Sequence, residues 1–438
     1  MNNSLLDKGI KDARKLIEDL NNSTEQLQTS NEEIPFQLIS RIDLGTLILT
    51  REEVAQQNQT AITLHNAVKG KERETWSLKA INKLLQDAIL QSLDIPKKSS
   101  QSFNQRLETA LQKLKSSLSE PLKAWEFYNV VLGLDVSNEK RKIGNIYFFH
   151  ADEANLEKIS ERINDIADES PNTSEEKENF KRFCKKQLFQ FYTNTAVAFL
   201  KVYAGDLEAA RFLALEELQT TLDVINFYTL SIHNDDLRVR VFLPGDAIGT
   251  QTLNLAFKEN ESFNFEFPST GPLINFSLSS LDEQRSEKLG FNRLNQILAN
   301  PTQNEIEKRL LAGVRIAGRA VSSIRREDAF LLHAIALESV LVGGNENTDL
   351  TYRLSTRCAH LLGKDLESRK AIKKEIAVLY GVRSAIVHRG DTNFTEIDLL
   401  KIRYYTRNIL VTLLTKEDFK DFTKKEQLNQ WFDERMLS

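Results

Sequence analysis

Residues 369–390 read RKAIKKEIAVLYGVRSAIVHRG, and this stretch decides how the last third of the chain is understood. Ile376, Leu379 and Ile386 recur at helical spacing, and Gly390 is the residue type that ends helices. The spacing predicts a helix over 369–388. Upstream, Ile306, Leu310, Val314, Ala317 and Val321 mark a long first helix. A second spans 330–342 and stops at Gly343-Gly344, and a third spans 350–362 and stops at Gly363. Downstream, 396–414 makes a fifth. Helices joined by short loops pack as an antiparallel bundle, so 283–438 is expected to be all-helical.

The rest of the chain divides in two. Residues 1–120 carry apolar stripes at three- and four-residue steps: Leu6, Ile10, Ala13, Ile17 and Leu20, then Trp76, Ala80, Leu84 and Ala88, then Leu107, Leu111, Leu114 and Leu118. A polar linker follows Pro96, and Pro121 ends the last run. Residues 121–282 change period. Runs at 125–134 and 143–149 predict strands flanking a polar turn at 137–142, and 165–179 is expected to be an acidic surface loop. A buried strand at 196–203 ends at Gly205, and Asp206 is placed to cap a helix over 207–228. Three segments then alternate with a two-residue period: Leu237-Val239-Val241, Leu253-Leu255-Phe257 and Phe263-Phe265-Phe267. Ile274, Phe276 and Leu278 can add another. The fold class is therefore an α+β multidomain protein: a helical N-terminal region, an α+β middle domain of about six strands suited to sensing or regulation, and a C-terminal helical bundle.

A chain of 438 residues is too long for one ordinary core. Apolar residues make up 41% and charged residues 27%, as in globular proteins, and no window approaches a membrane span. The N-terminus lacks a secretory pattern, and Cys184 and Cys358 have no metal-ligand spacing. Both point to a cytoplasmic protein. The net charge is −4, yet 304–414 holds 18 Lys and Arg against 13 Asp and Glu. A basic module in an acidic chain can attract phosphates, although a few charges can also gather by chance.

Of six histidines, one has a suggestive neighbour: His388 follows Arg383 by five residues. Five residues turn an ideal helix by about 500°, which leaves the two side chains about 140° apart. They meet only if the helix loosens before His388 or if two copies face each other. Histidine titrates near neutrality and can exchange a proton with a ribose hydroxyl. Arginine can grip phosphate oxygens and stabilise charge that develops on them. No H-E-x-x-H, Walker-type, dinucleotide or G-x-S-x-G pattern occurs, so the reading calls for no metal and no cofactor. The plain alternative is that both cations simply meet the free carbonyls of a helix C-terminus.

Leu379-Tyr380-Gly-Val-Arg383-Ser384-Ala-Ile-Val-His388 resembles the signature of the Apea-like HEPN domain. Leu337-Glu338-Ser339 and Tyr352-Arg353-Leu-Ser-Thr-Arg357-Cys-Ala359 resemble that family's second and third helices. The resemblance covers roughly 304–414. It implies a metal-independent ribonuclease working as a homodimer or higher homo-oligomer, cleaving RNA through a 2′,3′-cyclic phosphate. Arg383 would hold the scissile phosphate and His388 would be the general acid or base. Ser384 stands where many members have Asn, Asp or His, and Glu338 would anchor Arg383 or a helix end. Members of this architecture are similar to abortive-infection toxins and anti-phage effectors, answering to a phage-derived trigger or a regulatory partner. Members restrained by AMP transfer have Tyr where this chain has Gly390. Some HEPN domains only bind RNA or dimerise, which is the competing expectation.

Arg315, Arg319 and Arg389, with Arg325 and Arg326, can contact RNA phosphates or form a solvated face. His333 and His360 read as core or boundary groups, Tyr380 as packing, and Cys358 as a small buried apolar residue.

Overall fold

The structure is a computed structural model that describes residues 2–27, 37–41, 45–49, 51–69, 74–94, 99–136, 140–232, 239–244, 254–258, 262–266, 275–323, 325–342 and 350–437. The expected stop at Gly343-Gly344, the start of the 96–100 linker, part of the 137–142 turn, Leu237, Leu253, Phe267, Ile274 and His233 lie outside these residues.

The chain is mostly helical and forms two compact units, Met1–Phe127 with Lys201–Glu217, and Tyr128–Leu200 with Leu218–Ser438. The expected boundary at 120 falls near the end of the first segment, and the one at 282 lies inside the second unit.

The first unit holds α1 (Asn3–Leu27), a hairpin of β1 (Gln37–Arg41) and β2 (Gly45–Leu49), α2 (Arg51–Val68), α3 (Leu78–Leu93) and α4 (Phe103–Ser119). The apolar stripes become its core, where Leu16, Ile17, Leu64, Ile81, Leu85 and Leu107 are almost fully buried. Ser77 and Ser102 cap α3 and α4 with their side chains. The β1–β2 hairpin departs from the all-helical expectation for this region.

The sheet is built from β3 (Lys123–Val131), β4 (Leu134–Asp135), β5 (Arg141–Ile143) and β6 (Ile146–His150), followed by α5 (Glu153–Glu169), α6 (Ser174–Tyr192), β7 (Ala196–Ala204) and α7 (Leu207–Ile232). Four strands pair in the order β3-β7-β6-β5, while β4 stands outside that sheet. The acidic loop expected at 165–179 is instead mostly helix. Thr173 and Glu176 cap each other to start α6, and Pro171 sits in the short break between the two helices. Asp206 accepts from the backbone N–H of Glu208 and Ala209, so α7 starts where its cap demands.

The later alternating segments do not extend this sheet. Here β8 (Asn254–Lys258) and β9 (Ser262–Glu266) make their own antiparallel hairpin, β10 (Phe276–Ser277) pairs with β4 alone, and Phe242 makes a single bridge to Leu132. A two-residue period shows that one face is covered and says nothing of which strand lies alongside.

Then come α8 (Glu283–Lys288), α9 (Phe291–Ala299), α10 (Glu305–Ser322), α11 (Arg326–Leu341), α12 (Leu350–Leu362), α13 (Leu366–Arg389), α14 (Glu396–Thr415) and α15 (Lys425–Leu437). Val314, Phe330, Leu337, Leu354, Ile376 and Ile409 fill the bundle core. No described helix is long and apolar enough to cross a membrane.

One core group makes the bundle sensitive to acid. His333 of α11 is buried, and burial together with nearby Arg403 pushes its imidazole down to about 3. In an unfolded chain a histidine titrates near 6.5, so between these values the unfolded state binds more protons and stability rises with pH. The stabilisation is therefore lost as pH falls below about 6.5. At pH 5 the expected loss is about 2 kcal/mol relative to pH 8. Urea midpoints at both pH values, for wild type and His333→Gln, check this. An acid loss that is equally large in the variant would assign it to other groups.

Candidate active site

Helix α13 carries the site, and its two ends are well defined. Asp365 and Ser368 form a capping box at the start. Gly390 ends the helix in the left-handed region, its N–H bonding to the Ile386 carbonyl at 3.1 Å while that of Asp391 reaches Ala385 at 3.3 Å. Beyond it, Phe394 packs on Phe330 of α11 with the Arg326 guanidinium over its ring. That contact holds the segment following His388 against α11.

The α-helix runs unbroken to Arg389, so it does not loosen before His388. Gly390 acts only one residue past Arg389, too late to re-aim the histidine. Arg383 and His388 therefore leave α13 about 140° apart. The loosened helix end, one of the two expected routes to convergence, is absent.

Arg383 lies on the bundle side, in register with buried Leu379, Tyr380 and Ile386. Its Nε sits 3.2 Å from Oε1 of Glu338 on α11, and both side chains are three-quarters covered. The approach is an ion pair whose angle falls short of a hydrogen bond. Tyr380 donates its hydroxyl to the Ala334 carbonyl at 3.0 Å. Burial first, and the Glu338 charge second, push that phenol well above its usual range. It stays a neutral donor to the Ala334 carbonyl, and the Glu338 carboxylate faces Arg383. The Nε edge of the guanidinium thus faces Glu338. This is an arginine oriented by a carboxylate.

His388, Ser384 and Arg389 are exposed. Ser384 lies one turn before His388 on the same face, close enough for a hydroxyl to meet an imidazole. Gly381 is on that outward side as well, and a Cβ there would meet nothing within 4 Å. Val378 and Val387 are about half exposed, and Ile397 and Tyr404 of α14 are more so.

Arg315 and Arg319 lie on α10. Arg319 pairs through Nε with Asp223 of α7 at 3.0 Å, and that carboxylate is almost fully buried. Burial raises the Asp223 carboxyl, and Arg319 and then Arg315 pull it back toward ionisation. These two cations therefore answer an internal charge. Arg325 and Arg326 open α11. Cys358 is fully buried, and burial drives its thiol far above its usual range, so it is no nucleophile. Glu375, bound by Lys401 and by the Tyr405 hydroxyl, ties α13 to α14 and was not singled out by any motif.

Comparisons with protein-family models, with curated proteins and with solved structures return no match for this chain.

Proposed function

We propose that the C-terminal bundle is a HEPN-type endoribonuclease that cleaves RNA without a metal, acting in the bacterial cytoplasm as an anti-phage or abortive-infection effector. The observation that carries the reading is the Glu338–Arg383 ion pair: a guanidinium three-quarters covered and oriented, on the helix whose capped end exposes His388. An arginine needed only to solvate a helix end has no use for a carboxylate and a tyrosine behind it.

In this reading two copies face each other, each supplying one Arg383 and one His388. A neutral His388 takes the proton of the ribose 2′-hydroxyl while the 2′-oxygen attacks phosphorus. The P–O5′ bond breaks, and the same His388, now protonated, returns that proton to the departing 5′-oxygen. The products are a 2′,3′-cyclic phosphate and a 5′-hydroxyl. Arg383 holds the non-bridging oxygens as charge builds on them. Ser384 is placed to orient His388. The exposed apolar side chains of α13 and α14 and the open face at Gly381 support a second copy docking on this side.

The test is purified wild type and His388→Ala incubated with cellular RNA, with the ends mapped. Wild type is expected to leave cyclic-phosphate ends that the variant does not. RNA bound but never cut by wild type would refute the nuclease and leave a module that only binds RNA or dimerises.

A further inference from the structure

A second site lies on the sheet, away from α13. The register pairs Tyr147 with Phe199 and Phe149 with Val197, so these side chains share one face of β6 and β7. Helices α5 and α6 cover part of that face, with Leu156, Leu188 and Ile163 packed on Val197 and Phe149. The cover stops short of Phe199. A solvent-open cleft of about 400 Å³ remains between the sheet and the first turns of α5. That size is ordinary for a small-molecule site.

Its floor is aromatic. Tyr128 and Phe199 lie with ring centroids 4.8 Å apart, and Phe149 continues the surface. Its rim is cationic. Lys140 places its ammonium 4.5 Å from the centroid of Tyr147 and 5.7 Å from that of Phe199. Lys158 of α5 also lines the cleft. Neither lysine has a carboxylate within ion-pair distance among the described residues. Asp152 also lines the cleft, with one carboxylate oxygen accepting the Asn155 N–H as the cap of α5, and Glu157 binds Lys185. Asn155 hangs its amide in the cleft and is steadied by donating to the His150 carbonyl at 3.0 Å.

Three rings alone would suit any flat apolar molecule, and two lysines alone any anion. Together in one cleft they ask for a molecule with a planar ring at one end and negative charge at the other. We propose that this cleft binds a free nucleoside monophosphate. The base stacks on the Tyr128–Phe199 shelf, the phosphate lies between Lys140 and Lys158, and the Asn155 amide meets the base edge or sugar. The proposal is independent of the nuclease reading, because none of its residues belongs to the bundle.

The experiment is calorimetric titration of the full chain with AMP, GMP, CMP and UMP, with inorganic phosphate and adenosine as half-ligands. At least one nucleotide is expected to bind, with each half-ligand weaker by about tenfold or more. Both lysines are exposed, so Lys140→Glu with Lys158→Glu leaves the fold intact. That pair is expected to weaken the nucleotide by more than tenfold, and Phe199→Leu by about tenfold. The proposal is overturned by no nucleotide binding up to millimolar concentration, by phosphate binding as tightly as the nucleotide, or by unchanged affinity in the lysine variant. It is overturned equally if only a 5′-phosphorylated oligoribonucleotide binds.

Discussion

Co-expressed Arg383→Ala and His388→Ala chains are expected to recover about a quarter of wild-type RNA cleavage, although neither should cleave alone, if the proposed two-fold dimer builds each centre from both copies. The reason lies in α13. It stays regular to Arg389, so one chain's arginine and histidine leave the helix about 140° apart. In a two-fold pair each centre takes Arg383 from one chain and His388 from the other. Random pairing makes half of the dimers mixed, and each mixed dimer has one intact centre of two. Each single variant alone should fall by about 10²–10⁴ in rate, the usual loss of a general acid–base group. The measurement is initial cleavage rate on a labelled RNA, with affinity tags used to isolate mixed dimers. No recovery in isolated mixed dimers would show that each chain uses its own pair, and the composite centre would fall.

The helical parts of the chain were legible because their signals are local. Leu6 to Leu20 and Ile306 to Val321 each lie on a single face, and Ser102, Asp206 and Gly390 are caps that act within a turn of themselves. The 165–179 segment was misjudged because its composition looks like a loop, while the Thr173–Glu176 capping box outweighs that composition. Strand partners were not legible. Phe257 and Phe263 alternate as strands of the main sheet do, yet they pair only with each other, a choice set by contacts far apart in sequence.

The site divides in the same way. Arg383, His388 and Glu338 could be singled out by spacing and resemblance, and the Glu338–Arg383 ion pair gives that choice a physical form. Arg319 looked like a free basic residue because Asp223, its counter-charge, lies 96 residues away. The aromatic cleft left no trace in any motif. Tyr128, Phe149, Lys158 and Phe199 come from three strands and a helix, and only the folded register gathers them.

Gly318→Ala is expected to destabilise the second unit by about 3 kcal/mol or more. Helices α7 and α10 cross at this point with backbone against backbone. A Cβ on residue 318 would stand 1.8 Å from the carbonyl oxygen of Asp223 and 2.6 Å from its carbonyl carbon. No rotamer can relieve a clash with backbone, so one helix must move by about an ångström in a close-packed interior. Moving it strains what is fastened there. Asp223 would be drawn from Arg319, and Asn226 would lose Ser322 of α10 while it clamps the N–H and carbonyl of Val241. A buried carboxylate parted from its cation adds its own cost. Gly381→Ala provides the contrast. That glycine also sits within a helix, but open space surrounds it, so alanine should stabilise by about 0.5–1 kcal/mol through helix propensity. Thermal and urea unfolding of both variants should therefore move in opposite directions. Wild-type unfolding of Gly318→Ala would mean that the α7–α10 crossing has slack and is not a fixed joint. Gly381→Ala also bears on the dimer: a more stable chain that cleaves RNA more slowly is the result expected if a second copy's backbone comes close to that bare face.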